Sequence, residues 1–153
     1  MHAETRLPRA RLLDAELRSR KQRATAVVVD TSAVLCCLAD GRDLVEALED
    51  AVEGGVELVV PEVVVKELEK LAQGRGARGA LARVALELIR RAEGRTVRIA
   101  HHAEGDADTA VLKVALEEGA YVATADTQLA ARSRALGLPL LLYRSAKKRF
   151  EPS

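Results

Sequence analysis

The stretch Ala26-Val27-Val28-Val29-Asp30-Thr31-Ser32 decides how the rest of the chain is read. Three consecutive β-branched residues form a run too apolar for a half-exposed strand, so they predict a strand buried on both faces. Asp30 follows with no spacer. A carboxylate there lies at the carboxyl end of a core strand, where open α/β sheets place their ligands. Thr31 and Ser32 open the next helix and bring two hydroxyls. Capping that helix is a sufficient reason for Asp30 taken alone, so its meaning depends on whether other acids reach the same place.

Outward from this strand, strands and helices alternate. Strands are predicted at Val27–Asp30, Glu57–Val60, Thr96–Ile99, Tyr121–Ala123 and Leu140–Leu142. Helices are predicted at Ser32–Leu38, Asp43–Val52, Glu62–Ala72, Ala80–Ala92, Gly105–Glu118 and Asp126–Leu136, with Gly119 and Gly137 as stops. This alternation means a parallel sheet covered on both faces, a three-layer α/β/α sandwich. Gln73 to Gly79 reads as a flexible basic loop. Residues 1–25 form a basic extension with Leu13 and Leu17 at helical spacing, 26–145 the α/β domain, and 146–153 a basic tail.

Composition narrows the function classes. At 153 residues the chain is long enough for a real core, and with 2% aromatic content that core must be Leu, Val and Ala. No apolar run is long enough to span a bilayer, and the N-terminus is too charged for a secretory signal. Cys36 and Cys37 are adjacent, lack metal-ligand spacing and read as reduced residues of a cytoplasmic protein. The absence of Asn and the few Gln fit a heat-adapted source. A net charge of +1 makes the molecule as a whole no trap for polyanions, so the distribution of charge matters more.

Helical periodicity then tests individual acids. A step of about 100° per residue groups Glu67 with Val63, Val64 and Leu71, in the middle of an apolar stripe. It aligns Asp108 with Val111, Leu112 and Ala115, and leaves Asp106 as the natural N-cap. Asp126 aligns with Leu129, Ala130 and Ser133 and follows a short strand directly. Asp30, Glu67, Asp108 and Asp126 thus converge. Several carboxylates stay ionised together in a partly dry cleft only if a cation neutralises them. An oxygen-only set selects Mg²⁺ or Mn²⁺, and a metal so held activates water for in-line displacement at a phosphodiester.

Four ordered strings resemble the PIN domain family: Val-Val-Asp-Thr-Ser from Val28, Val-Val-Pro-Glu-Val-Val-Val-Lys-Glu-Leu-Glu-Lys-Leu from Val59, Gly-Asp-Ala-Asp-Thr-Ala-Val-Leu from Gly105, and Val-Ala-Thr-Ala-Asp-Thr-Gln-Leu from Val122. The resemblance covers roughly Val27 to Tyr143. It implies a Rossmann-like fold and a ribonuclease dependent on one or two Mg²⁺ or Mn²⁺ ions, leaving 5′-phosphate and 3′-hydroxyl ends. Carried over position by position, its acids are Asp30, Glu67, Asp108 and Asp126, the set that periodicity selects. Thr31, Ser32 and Thr124 match its hydroxyl positions. Gln128 stands where some members carry a further acid, for which Asp106 is the nearest substitute. The resemblance also implies RNA as substrate and a homodimer. It leaves open both a toxin, with an antitoxin partner as in VapC-like pairs, and an RNA-processing enzyme with a ribosome-assembly partner. Arg75, Arg78, Arg132, Arg134, Lys147 and Lys148 are the candidate backbone contacts. The alternative function is a PIN module that binds RNA or protein without cutting.

Overall fold

The computed structural model describes residues 24–101 and 105–153. The basic extension expected over residues 1–25 lies outside them, except for its last two residues. β1 (Thr25–Val29) leads through α1 (Thr31–Ala39) and α2 (Leu44–Val52) to β2 (Val56–Pro61). α3 (Glu62–Ala72) and α4 (Ala77–Ala92) lead to β3 (Val97–Ala100), and α5 (Ala107–Glu118) to β4 (Tyr121–Thr124). α6 (Thr127–Ala135), β5 (Leu140–Arg144) and β6 (Arg149–Pro152) complete the chain.

The six strands lie in the order β3-β2-β1-β4-β5-β6, all parallel except the β5–β6 pair. The chain first steps from β1 outward to β3, then returns to β4 on the other side of β1. Right-handed crossovers therefore put α1–α4 on one face and α5 and α6 on the other. Direction reverses between β1 and β4, so a crevice opens at their carboxyl ends. Val29 pairs with Ala123, which brings Asp30 level with Thr124.

Burial follows the sequence. Val27, Val28 and Val29 are 0% exposed, as are Leu58, Val59 and Val60 beside them. Each buried Val or Leu contributes about 1.5–3 kcal/mol from surface removed from water. Among the described residues, no helix is long and apolar enough to cross a membrane. Cys36 is half-buried and Cys37 buried, both unpaired; burial pushes the Cys37 thiol up to about 12, so it stays protonated.

Three local readings are corrected. α4 begins at Ala77, so the expected loop shrinks to a short turn at Gln73–Gly76. That turn is braced: Arg83 Nη1 donates to the carbonyls of Ala72 (2.8 Å) and Gly74 (3.2 Å). A Cβ on Gly79 would meet the Gly74 carbonyl oxygen at 2.3 Å, so only glycine permits this approach. Second, the expected basic tail contains β6, which pairs antiparallel with β5 through Tyr143 opposite Phe150. Their rings meet edge to face, with centroids 4.9 Å apart. Third, the stripe on α3 runs through Val64 and Leu68, both 0% exposed, and Glu67 lies outside it, exposed. Val63-Val64-Val65 offers three equally apolar phases, and packing selects the one that turns Glu67 outward.

Candidate active site

Asp30 is held by four hydrogen bonds from three residues. It caps α1, its Oδ1 accepting from the Ala33 N–H at 2.8 Å. The Thr124 hydroxyl, fully buried at the end of β4, donates to Asp30 Oδ2 at 2.6 Å. The Ser32 hydroxyl is shared between both Asp30 oxygens at 2.9 Å each. Ser32 is itself fixed by the Ala125 N–H at 3.0 Å, and Thr124 by the Asp126 N–H at 2.9 Å. The carboxylate is 5% exposed, and desolvation pushes its pKa up. The bonds from Thr124, Ala33 and Ser32 oppose that rise, and the charge of Asp108 adds to it.

Asp126 follows β4 and caps α6, with Oδ1 accepting from the Gln128 N–H at 2.7 Å and the Leu129 N–H at 3.4 Å. Asp106 caps α5 through the Thr109 N–H at 2.8 Å, and that bond holds its carboxyl below the usual range. Asp108 therefore has no capping role. It is half-buried in the first turn of α5. Partial burial pushes its pKa up, and the charges of Asp126 and Asp106 push it further; Arg132 opposes them.

The charge of Asp108 thus reaches Asp30, and that of Asp126 reaches Asp108, although three separate elements supply them. Glu67 stands at the rim, tied to the start of α1 by the Thr31 hydroxyl, which donates to Glu67 Oε1 at 3.3 Å. Among the described residues, no three His, Cys, Asp or Glu side chains are close enough to enclose a bare metal ion. The donor chemistry nevertheless fits a hydrated hard cation: oxygen ligands only, two of them resisting ionisation. Mg²⁺ characteristically keeps several waters and uses one or two carboxylates.

The cations expected to meet a substrate divide into two groups. Arg132 Nη1 lies 4.0 Å from Asp108 Oδ2. Arg75 lies in the braced turn and Arg78 in the first turn of α4, and the charge of Arg78 reaches Cys36, one turn along α1 from Ser32. Arg134 instead donates to the Ser153 hydroxyl, beside Leu140 at the amino end of β5, the opposite end of the sheet. Lys147 pairs with Glu151 at 3.1 Å, and the Lys148 carbonyl accepts from Arg42 past the far end of α1. These three do not join the acids. The Ala33 and Ala125 N–H groups do, and only the Ala33 contact was legible in advance, from N-cap spacing.

The family model described as a PIN-like domain matches residues 27–146. The chain belongs to this family. Its fold matches the structure of the PIN domain endonuclease Utp24, with a TM-score of 0.67 and 26% identity over 84% of this chain and 90% of that one. It also matches a domain of a functionally unknown protein from Methanocaldococcus jannaschii, with a TM-score of 0.60 and 26% identity over 79% of this chain and 92% of that one. No curated protein sequence matches.

Proposed function

We propose that this PIN domain is a divalent-metal-dependent endoribonuclease. The observation that carries this reading is the desolvated Asp30 carboxylate, fixed by Thr124, Ser32 and Ala33 at the switch point, with the charge of Asp108 reaching it and the Asp126 N–H bonded to the same Thr124 hydroxyl. Membership of the family supports nuclease chemistry in general, and the likeness to an endonuclease points the same way.

Asp30, Asp108 and Asp126 would hold Mg²⁺ or Mn²⁺, with Glu67 at the rim. Such an ion, when bound, supplies charge neutralisation and water activation. The chain supplies the rest. Thr124 and Ser32 keep both Asp30 oxygens in one orientation. Arg78 and Arg132 would contact the phosphate backbone, and such contacts give salt-dependent binding of low sequence preference. With few aromatic residues, recognition rests on RNA shape or on a partner. A homodimer, an antitoxin and a ribosome-assembly factor are the partner classes to test, in a reduced cytoplasmic setting.

A second reading, an RNA- or protein-binding module without cleavage, is favoured by one observation: every Asp30 oxygen is already engaged within the chain. Cleavage of labelled structured and unstructured RNA separates the two. The nuclease reading expects cutting with Mn²⁺ or Mg²⁺, none with chelator and none by Asp30→Asn. RNA binding without cutting in every metal would overturn it and establish the module.

A further inference from the structure

Arg132 is half-exposed on α6, the helix that Asp126 caps. Its guanidinium approaches Asp108 to 4.0 Å, and among the described residues this is the one ion pair made by any of Asp30, Glu67, Asp108 and Asp126. The charge of Arg132 also reaches Asp106. Every other titratable group known to act on Asp108 is an acid: Asp126 from α6, Asp106 from its own N-cap. Among the described residues, Arg132 is thus the one cation in ion-pair range of these four acids. Arginine stays charged at any working pH and cannot give up its proton to relieve the crowding. The contact is longer than a hydrogen bond and open to water, which is the geometry of an exchangeable counter-ion.

We propose that Arg132 is the built-in counter-cation of the acid cluster, and that it competes with the divalent ion for Asp108. The inference rests on the metal-dependent reading above. Arg132 balances Asp108 while the site holds no metal and yields that place when a divalent ion binds. Divalent affinity is then set below what the bare carboxylates would give, so the site loads fully only at higher metal concentration. Arg132 is in this sense a positioning residue, acting through Asp108.

The test is Mn²⁺ binding without RNA, followed by electron paramagnetic resonance of the free ion, for the full chain and three variants. Arg132→Gln removes the competitor. Arg132→Lys keeps a positive charge at the same place. Arg134→Gln removes an equal charge from the same helix at the far end of the sheet. A single charge at this range in an exposed setting is worth about a three- to tenfold change. Arg132→Gln should bind Mn²⁺ tighter by that factor, with the gain shrinking as salt rises; Arg132→Lys should recover most of the wild-type affinity and Arg134→Gln should match wild type. Equal affinity in Arg132→Gln and wild type would overturn the proposal while leaving the nuclease reading intact. Weaker binding by Arg132→Gln, or an equal gain in Arg134→Gln, would also overturn it. Failure of all four proteins to bind Mn²⁺ would remove the metal-dependent reading itself.

Discussion

Thr124→Val isolates the contact on which the site depends. The two side chains have nearly the same shape, so the substitution removes chemistry without opening a cavity. The Thr124 hydroxyl donates to the ionised Asp30 at 2.6 Å and accepts from the Asp126 N–H at 2.9 Å. A hydrogen bond to a charged group contributes about 1.5–3 kcal/mol, and a donor left without its acceptor costs about 1 kcal/mol more. The expected loss is about 3 kcal/mol, or about 6–12 °C in melting temperature for a chain of this size. Thr124→Ser keeps the hydroxyl and loses one buried methyl, which costs about 1 kcal/mol. Urea denaturation of both variants at neutral pH should therefore separate them by about 2 kcal/mol. The gap should narrow as acid protonates Asp30, because a neutral carboxyl bonds less strongly. Equal stability of the two variants at neutral pH would refute the reasoning.

Asp30→Asn should be more stable than wild type at neutral pH in chelator. The folded pKa of Asp30 is raised by burial, so this group's contribution is fully present below its unfolded value of about 3.9 and is lost as pH rises through the folded value. Asn does not titrate, so its advantage should shrink on acidification; denaturation at several pH values reads this, and a constant deficit would contradict it. Gly79→Ala should destabilise by about 1–3 kcal/mol by overpacking, despite better helix propensity, because its Cβ would meet the Gly74 oxygen at 2.3 Å. An unchanged urea midpoint would show that the turn gives way. Glu67→Gln, on an exposed side chain, should change stability by less than about 0.5 kcal/mol and yet reduce metal-dependent cleavage. Cleavage at the wild-type rate would remove Glu67 from the site.

Particular residues show how far the sequence could be read. The Val27-Val28-Val29 strand is legible because a triple β-branched run has few alternatives in an alternating α/β pattern, whereas Asp30 at its end reads equally as a helix cap until the other acids are placed. Asp108 stood out because Asp106 already served as the cap. Glu67 was misplaced because periodicity cannot choose a phase within three consecutive valines; only packing of Val64 and Leu68 against the sheet does so. β6 carries little strand signal because Phe150 is the one large apolar side chain in Arg149-Phe150-Glu151-Pro152, and its partner Tyr143 lies across a short charged turn that reads as a solvated tail. The start of α4 was masked by glycines that usually break helices; here Gly79 is needed for a close approach to Gly74 that no local pattern encodes. Arg132 and Arg134 carry the same charge two positions apart, but about 200° of rotation around α6 sends one side chain toward Asp108 and the other toward Ser153.

In the proposed site Asp30, Asp108 and Asp126 hold one divalent ion at the ends of β1 and β4. Anomalous diffraction from crystals soaked in Mn²⁺ tests this directly. A peak is expected in the crevice bounded by these three carboxylates, lost in Asp30→Asn. A peak elsewhere, or none in a protein that cuts RNA under the same conditions, would rule this site out.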